Sequence, residues 1–260
     1  MNLLLLHPRD LLAPSRPAAG GTETPPQPER RTGQAEITGD RLRHLRRVLG
    51  VGEGDQVRVG LLNGPVGTAT IESIDRERAE LTFDCAEPPP RGLDVDLLLA
   101  LPRPKFLGRI LQNAASMGVR SIHLFQSARV EKSYWSSRLF EEGAMERHLV
   151  LGLEQGRDTR MPTLRQLRRF HDVVTWVQRW AGELGDAGHV WLADESGSAE
   201  FPRSAIGETA LVIGPEGGLL ENEVACLVEA GARSVSLGPR PLRVETAVSV
   251  CLGRFLADPG

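Results

Sequence analysis

The sequence predicts an α/β protein in two parts: a small N-terminal β-barrel, then a mostly parallel sheet with flanking helices. Three observations carry that expectation. Short alternating strands run up to residue 84, three prolines interrupt the chain at 88–90, and apolar runs beyond them alternate with helical stretches. At 260 residues, 40% apolar and 25% charged, the chain can bury more than one core, and wholesale disorder or a fibrous repeat is excluded.

Leu3-Leu4-Leu5-Leu6 reads as a buried first strand, because it is too short for a secretory leader and His7-Pro8-Arg9-Asp10 follows at once. No apolar stretch approaches the roughly twenty residues that span a bilayer, so a cytoplasmic protein without membrane association is expected. Residues 13–34 are crowded with Pro, Gly, Thr, Ser and Arg and predict a flexible surface loop. Over 40–49, Leu42, Leu45 and Leu49 fall at helical spacing, leaving Arg41, Arg43, Arg46 and Arg47 on the other faces. Gly52-Glu53-Gly54-Asp55 is a turn, and 56–61, 67–74 and 79–84 alternate as strands, completing a barrel domain over 1–87.

Glu87-Pro88-Pro89-Pro90-Arg91-Gly92 cannot continue a helix or a central strand and marks the boundary. In the second domain, 93–260, strands are predicted at 94–101, 121–125, 190–193, 210–213 and 234–237. Helices are predicted at 105–117, 139–153, 222–230 and 244–256. Cys85, Cys226 and Cys251 are scattered without ligand spacing, so neither a disulfide framework nor a metal site is expected.

Two strand-loop-helix units stand out near the C-terminus. Leu211-Val212-Ile213-Gly214-Pro215-Glu216-Gly217-Gly218 is an apolar strand entering a glycine loop, and 235–247 repeats the design. Ligands of open α/β sheets bind at the carboxyl ends of strands, where glycines let them approach the main chain. Either loop alone reads as a tight turn, and Glu245 and Thr246 alone read as helix capping; adjacent, the two units point to a shared pocket.

Net charge is −3, which argues against a nucleic-acid partner, but the local distribution reverses that impression. Between 101 and 138 seven basic side chains, Arg103 and Arg129 among them, face the single acid Glu131. With Arg41 to Arg47 they form two basic patches, each of which could also be a solvated face.

Ile213-Gly214-Pro215-Glu216-Gly217-Gly218 and Leu237-Gly238-Pro239-Arg240-Pro241-Leu242-Arg243-Val244-Glu245-Thr246-Ala247 together resemble the paired signatures of the bacterial 16S ribosomal RNA uridine N3-methyltransferases, of the SPOUT class. The second departs mainly at Val244, where Thr is usual. His44-Leu45-Arg46-Arg47-Val48-Leu49 followed by Gly54-Asp55 is similar to the PUA-like RNA-binding domain of the same family.

The resemblance implies a trefoil-knotted catalytic domain and a homodimer. It also implies methyl transfer from S-adenosylmethionine to N3 of uridine 1498 in 16S rRNA of the small ribosomal subunit. The donor set it implies is Leu192, Ile213, Gly214, Pro215, Glu216, Gly217, Gly218, Leu237, Gly238, Arg240, Leu242, Thr246 and Ala247. RNA contacts would come from Arg41, Arg43, Arg46, Arg47, Arg103, Arg129, Arg157 and Arg160. Uridine N3 must lose a proton, which Glu216 or Glu245 could accept while Arg243 stabilises developing charge; which glutamate acts, if either, stays open. The middle of the chain departs from the family at Asn113, Ser116, Ala128 and Asp158. A methyltransferase acting on ribose 2′-hydroxyls and a non-catalytic RNA- or donor-binding relative are the competing readings.

Overall fold

The computed structural model describes residues 2–12, 16–17, 29–185, 188–195, 197, 199–202 and 207–256. The chain divides into two compact units, Met1–Arg91 with Leu153–Met161, and Gly92–Gly152 with Pro162–Gly260.

The first unit is one curled sheet of β1 (Leu4–Leu6), β2 (Arg16–Pro17), β3 (Arg31–Thr38), β4 (Gln56–Leu61), β5 (Val66–Ile74) and β6 (Arg78–Glu87). The order is β1-β4-β5-β6-β3-β2, antiparallel except for β1 on β4. The N-terminal segment closes it: Leu4 pairs with Val59 of β4, and Leu11 bridges Ala35 of β3 on the far side. Alternation along β6 turns Ala79, Leu81, Phe83 and Cys85 inward onto Leu6, Ile37, Val59 and Ile71. Burial pushes the Cys85 thiol up to about 12, leaving it an apolar filler. Helix α1 (Gly39–His44) continues as a wider π turn through Leu49, burying Leu42 and Leu45, and stops at Gly50, whose φ of 66° favours glycine.

Most of the loop expected over 13–34 lies outside the described residues, but its end is corrected. Residues 31–34 belong to β3, paired with Asp84, Phe83 and Thr82 among others on β6. Gly33 is no loop marker: a Cβ there would come within 2.8 Å of the Phe83 ring, so glycine admits the core aromatic.

The segment Leu153–Met161 belongs to this first unit, although the strands that flank it in sequence belong to the second. Asn63 and Thr159 are cross-linked, since the Asn63 N–H donates to the Thr159 carbonyl at 2.7 Å and the Thr159 hydroxyl to the Gly64 carbonyl at 2.6 Å. Glu154 is buried and accepts the Leu5 N–H at 3.3 Å.

The second unit holds a seven-stranded, wholly parallel sheet of β7 (Leu93–Ala100), β8 (Val119–Phe125), β9 (Thr163–Leu167), β10 (Gly188–Ala193), β11 (Ala199–Glu200), β12 (Glu208–Ile213) and β13 (Arg233–Ser236). Its order is β11-β13-β10-β12-β7-β8-β9. Central strands read as unbroken apolar runs because both faces are covered, and Leu97, Leu98 and Leu99 are all fully buried. The helices are α2 (Pro104–Ser116), α3 (Ala144–Gly156, its last residues in the first unit), α4 (Phe170–Leu184), α5 (Glu221–Glu229) and α6 (Val244–Leu256). After β13, beyond β10, the chain returns so that α6 packs on α2 and β12; this reversal is the one on which the expected knot turns.

The structure adds β9 and α4, which periodicity alone left unassigned, and shortens the helix expected at 139–153. Gly143, at φ 69°, separates a short turn at Arg138–Phe140 from α3. Among the described residues no helix is long and apolar enough to cross a membrane, and no group of three metal-ligating side chains is found.

Burial pushes the Glu154 carboxyl up to about 7, against the opposing pulls of the Leu5 N–H and Arg41. A carboxyl whose folded pKa exceeds its unfolded one stabilises the fold fully below about 4.5 and loses that contribution as pH rises to about 7. Relative to Glu154→Gln, the unaltered protein should therefore lose stability across that window, by on the order of 3 kcal/mol at most. Denaturant unfolding of both proteins at pH 4.5 and pH 8 checks this, and parallel pH profiles would contradict it.

Candidate active site

Parallel register aligns the carboxyl ends of the central strands. Ala193 sits between Val235 and Ile213, Ile213 pairs with Leu99, and Leu99 pairs with Leu124. The loops that follow open together, and those after β10, β12 and β13 surround a cleft of ≈ 760 Å³.

The first wall is the glycine loop after β12. Its Pro215 carbonyl accepts the Gly218 N–H at 2.8 Å, a tight turn that Gly218 completes at φ 73°. Within it Glu216 is exposed and turns one carboxylate oxygen onto the backbone N–H of Arg103, 3.0 Å away, at the residue that precedes α2. The second wall is the loop after β13, where the Ser236 hydroxyl accepts the Gly238 N–H at 3.2 Å and Gly238 adopts φ 115°. Leu237, Arg240 and Leu242 from this loop line the cleft. The third wall, Ala193-Asp194-Glu195, follows β10, and the Asp194 N–H is tied to the Val235 carbonyl at 3.1 Å.

Of the residues singled out by sequence, Ile213, Gly214, Pro215, Glu216, Gly217, Gly218, Leu237, Gly238, Arg240, Leu242 and Ala247 are brought together around the cleft. Four are not. Leu192 is fully buried in the sheet, while Arg243, Glu245 and Thr246 lie outside the lining. The Arg243 carbonyl accepts the Thr246 and Ala247 N–H groups at 2.9 and 2.8 Å, so its backbone starts α6, with Glu245 and Thr246 in the first turn.

The arginines separate similarly. Arg129 lines the cleft and donates to the Gly217 carbonyl. Arg41 is half-buried in the first unit, bidentate on Asp10 at 2.6 and 2.8 Å and bonded to the Leu5 carbonyl. Arg43 pairs with Asp40, Arg46 and Arg47 are exposed, Arg160 is bidentate on Asp158, and Arg157 is exposed at φ 58°.

Four acids escaped sequence reasoning, one of them Glu221 at the start of α5, which lines the cleft. Asp194 and Glu195 follow a strand end directly, the same signal that singled out the other two loops. Glu223, buried in the first turn of α5, accepts the Leu220 N–H at 2.9 Å and the Ala128 N–H at 2.8 Å, a long-range contact with no local signature.

Comparison with known proteins places this geometry. An RNA methyltransferase domain family matches residues 89–256, and an RNA methyltransferase PUA domain family matches residues 37–84. The ribosomal RNA small subunit methyltransferase E of Treponema pallidum is 31% identical over 228 residues, spanning 84% of this chain and 83% of that one. The protein of the same name from Mycobacterium bovis is 28% identical over 226 residues, spanning 84% of each. The structure of the Neisseria gonorrhoeae ribosomal RNA small subunit methyltransferase E, bound to S-adenosyl methionine, shares the fold with a TM-score of 0.68 at 19% identity, covering 96% of this chain and 95% of that one. Since one family spans residues 89–256 and every residue lining the cleft falls inside that span, the chain belongs to the RNA methyltransferase family.

Proposed function

We propose that this protein transfers a methyl group from S-adenosylmethionine to N3 of uridine 1498 in 16S ribosomal RNA, acting in the cytoplasm as a homodimer. The observation that supports it most is the character of the cleft. Three loops at strand ends enclose a volume suited to a small ligand, with Asp194, Glu195, Glu216 and Glu221 set against Arg129 and Arg240. A surplus of carboxylates suits a ligand of net positive charge, and the glycine loop lets such a ligand approach main-chain groups. The apolar Ile213, Leu237, Leu242 and Ala247 provide the remaining surface. These residues fit the proposed donor, which when bound supplies an electrophilic methyl group on a cationic sulfur.

The chain's own part is positioning, water exclusion and proton removal. A neutral uracil N3 has no free lone pair, so its proton must leave before or during attack. Glu216 is the carboxylate placed for that role, since it lies at the cleft with one oxygen steadied by the Arg103 N–H. Arg129 and Arg240 supply positive charge for the imide as it becomes anionic. Glu245, in the first turn of α6, reads as a helix-end group. RNA backbone contact falls to Arg43, Arg46 and Arg47 in the first unit and Arg103 in the second, all exposed. A homodimer accords with exposed Leu151 on α3 and exposed Val250 and Leu256 on α6.

Three measurements test this reading. Gly218→Val forces a β-branched residue into a backbone conformation that favours glycine, and calorimetry should find no S-adenosylmethionine binding while circular dichroism stays unchanged; retained affinity would sink the donor site. Single-turnover methylation of a 16S RNA fragment should fall roughly a hundredfold in Glu216→Gln with RNA affinity held. Glu245→Gln should keep its rate and lose about 0.5 kcal/mol of stability, and the reverse pattern would exchange the two roles. Sedimentation at micromolar concentration should give twice the chain mass; an active monomer would rule the dimer out.

A further inference from the structure

Glu223 touches nothing in the cleft, yet it is the group through which two of the surrounding loops are joined. We propose that Glu223 is a positioning residue for the transfer, setting Arg129 across the Gly217 carbonyl at the mouth of the cleft. This rests on the functional reading above.

The carboxylate is only 6% exposed, and a buried charge persists where hydrogen bonds compensate its lost hydration. Both oxygens are engaged by backbone donors from loops far apart in sequence. One takes the Leu220 N–H at 2.9 Å, at the foot of the glycine loop, and the other takes the Ala128 N–H at 2.8 Å, in the loop after β8. Capping α5 would need only the first of these and would not require burial.

One residue beyond Ala128, Arg129 reaches back and its guanidinium donates to the Gly217 carbonyl. Gly217 makes room for it, since a Cβ there would lie 3.3 Å from the Arg129 Cδ. The contacts close a ring that runs from Glu223 through Ala128 and Arg129 to Gly217, and along the glycine loop to Leu220 and back. Without Glu223, the Arg129 side chain would hang on one bond to an exposed glycine, opposed by the rotamer entropy of a long flexible chain. With it, a cation is fixed where the acceptor imide develops negative charge, so it need not reorganise during transfer.

Two variants separate this from a helix cap. Glu223→Gln keeps the shape but presents an amide donor to one of the two N–H groups. Ala128→Pro deletes the donated N–H without altering Glu223 or α5. It stands at the second position of the turn in which the Ser127 carbonyl accepts the Val130 N–H at 3.2 Å, a position proline favours. Hydrogen exchange of the ligand-free protein should quicken about tenfold in both 126–130 and 214–220 for each variant. Saturated single-turnover methylation should fall roughly ten- to a hundredfold, S-adenosylmethionine affinity should hold within about threefold, and Glu223→Gln should add no further loss in an Arg129→Gln background.

Exchange confined to the first turn of α5, or rate losses that multiply in the double variant, would overturn the proposal. The exchange arm needs no catalysis, so an unaltered protein that transfers no methyl group would defeat the functional reading, while exchange limited to α5 would defeat this one.

Discussion

The cleft depends on one row of residues in the parallel sheet, Val235, Ala193, Ile213, Leu99 and Leu124, held side by side by parallel pairing that is regular at this end of the strands. Parallel strands all end on the same edge, so the loops leaving that row must open in one direction. The connections then fill the space: α2 starts immediately beyond β7 and α5 beyond the glycine loop, each bringing free N–H groups to that edge. Carboxylates therefore have donors to meet there, and the Glu216 bond to Arg103 and the Glu223 bond to Leu220 both use them. A one-residue slip between β12 and β7 would swap the side chains of β12 between the two packed faces and move Ile213, with the glycine loop after it, out of that row.

Charge is arranged locally rather than by the total. A chain of net charge −3 places its surplus carboxylates at the cleft, while Arg46, Arg47 and Arg103 stay exposed elsewhere on their units. Composition averages over these regions, so net charge alone says little about what such a protein binds. Pairing further divides the arginines. Arg41 is locked on Asp10 inside the first unit, where it acts as a strut, although its sequence neighbours Arg46 and Arg47 face solvent.

The readable features of the sequence are those whose cause is local. Glycine loops followed by helices announce themselves because backbone conformation at Gly218 and Gly238 demands the residue type. Fold class follows from alternation against apolar runs, and most of the cleft lining from the two loops those runs feed. What stayed hidden has distant causes. Gly33 mimics a loop residue because the reason for it, the Phe83 ring, lies fifty positions away. Residues 170–184 mix β-branched and aromatic side chains, so their burial on Val173, Val177 and Trp180 declares a helix only once the sheet is there to bury it. Glu223 shows locally only half of a capping box, since Leu220 offers no capping side chain, and its second partner, Ala128, is nearly a hundred residues upstream.

The same distinction bears on three of the positions at which the sequence departs from the pattern it resembles. At Ala128 the contact that matters is made by the backbone N–H, and the exposed side chain is free to vary. At Asn113 the side-chain amide reaches Ser249 of α6 at 3.3 Å, so a polar link between α2 and α6 exists without a charge. Asp158 works inward: its carboxylate takes the Thr159 and Arg160 N–H groups at 2.7 and 3.0 Å and pairs with the Arg160 guanidinium. A positive side chain at 158 would face those donors and the Arg160 guanidinium without an acceptor to offer. Asp158 and Arg160 therefore form a local unit in which an acid organises the turn and the arginine beside it presents the cation.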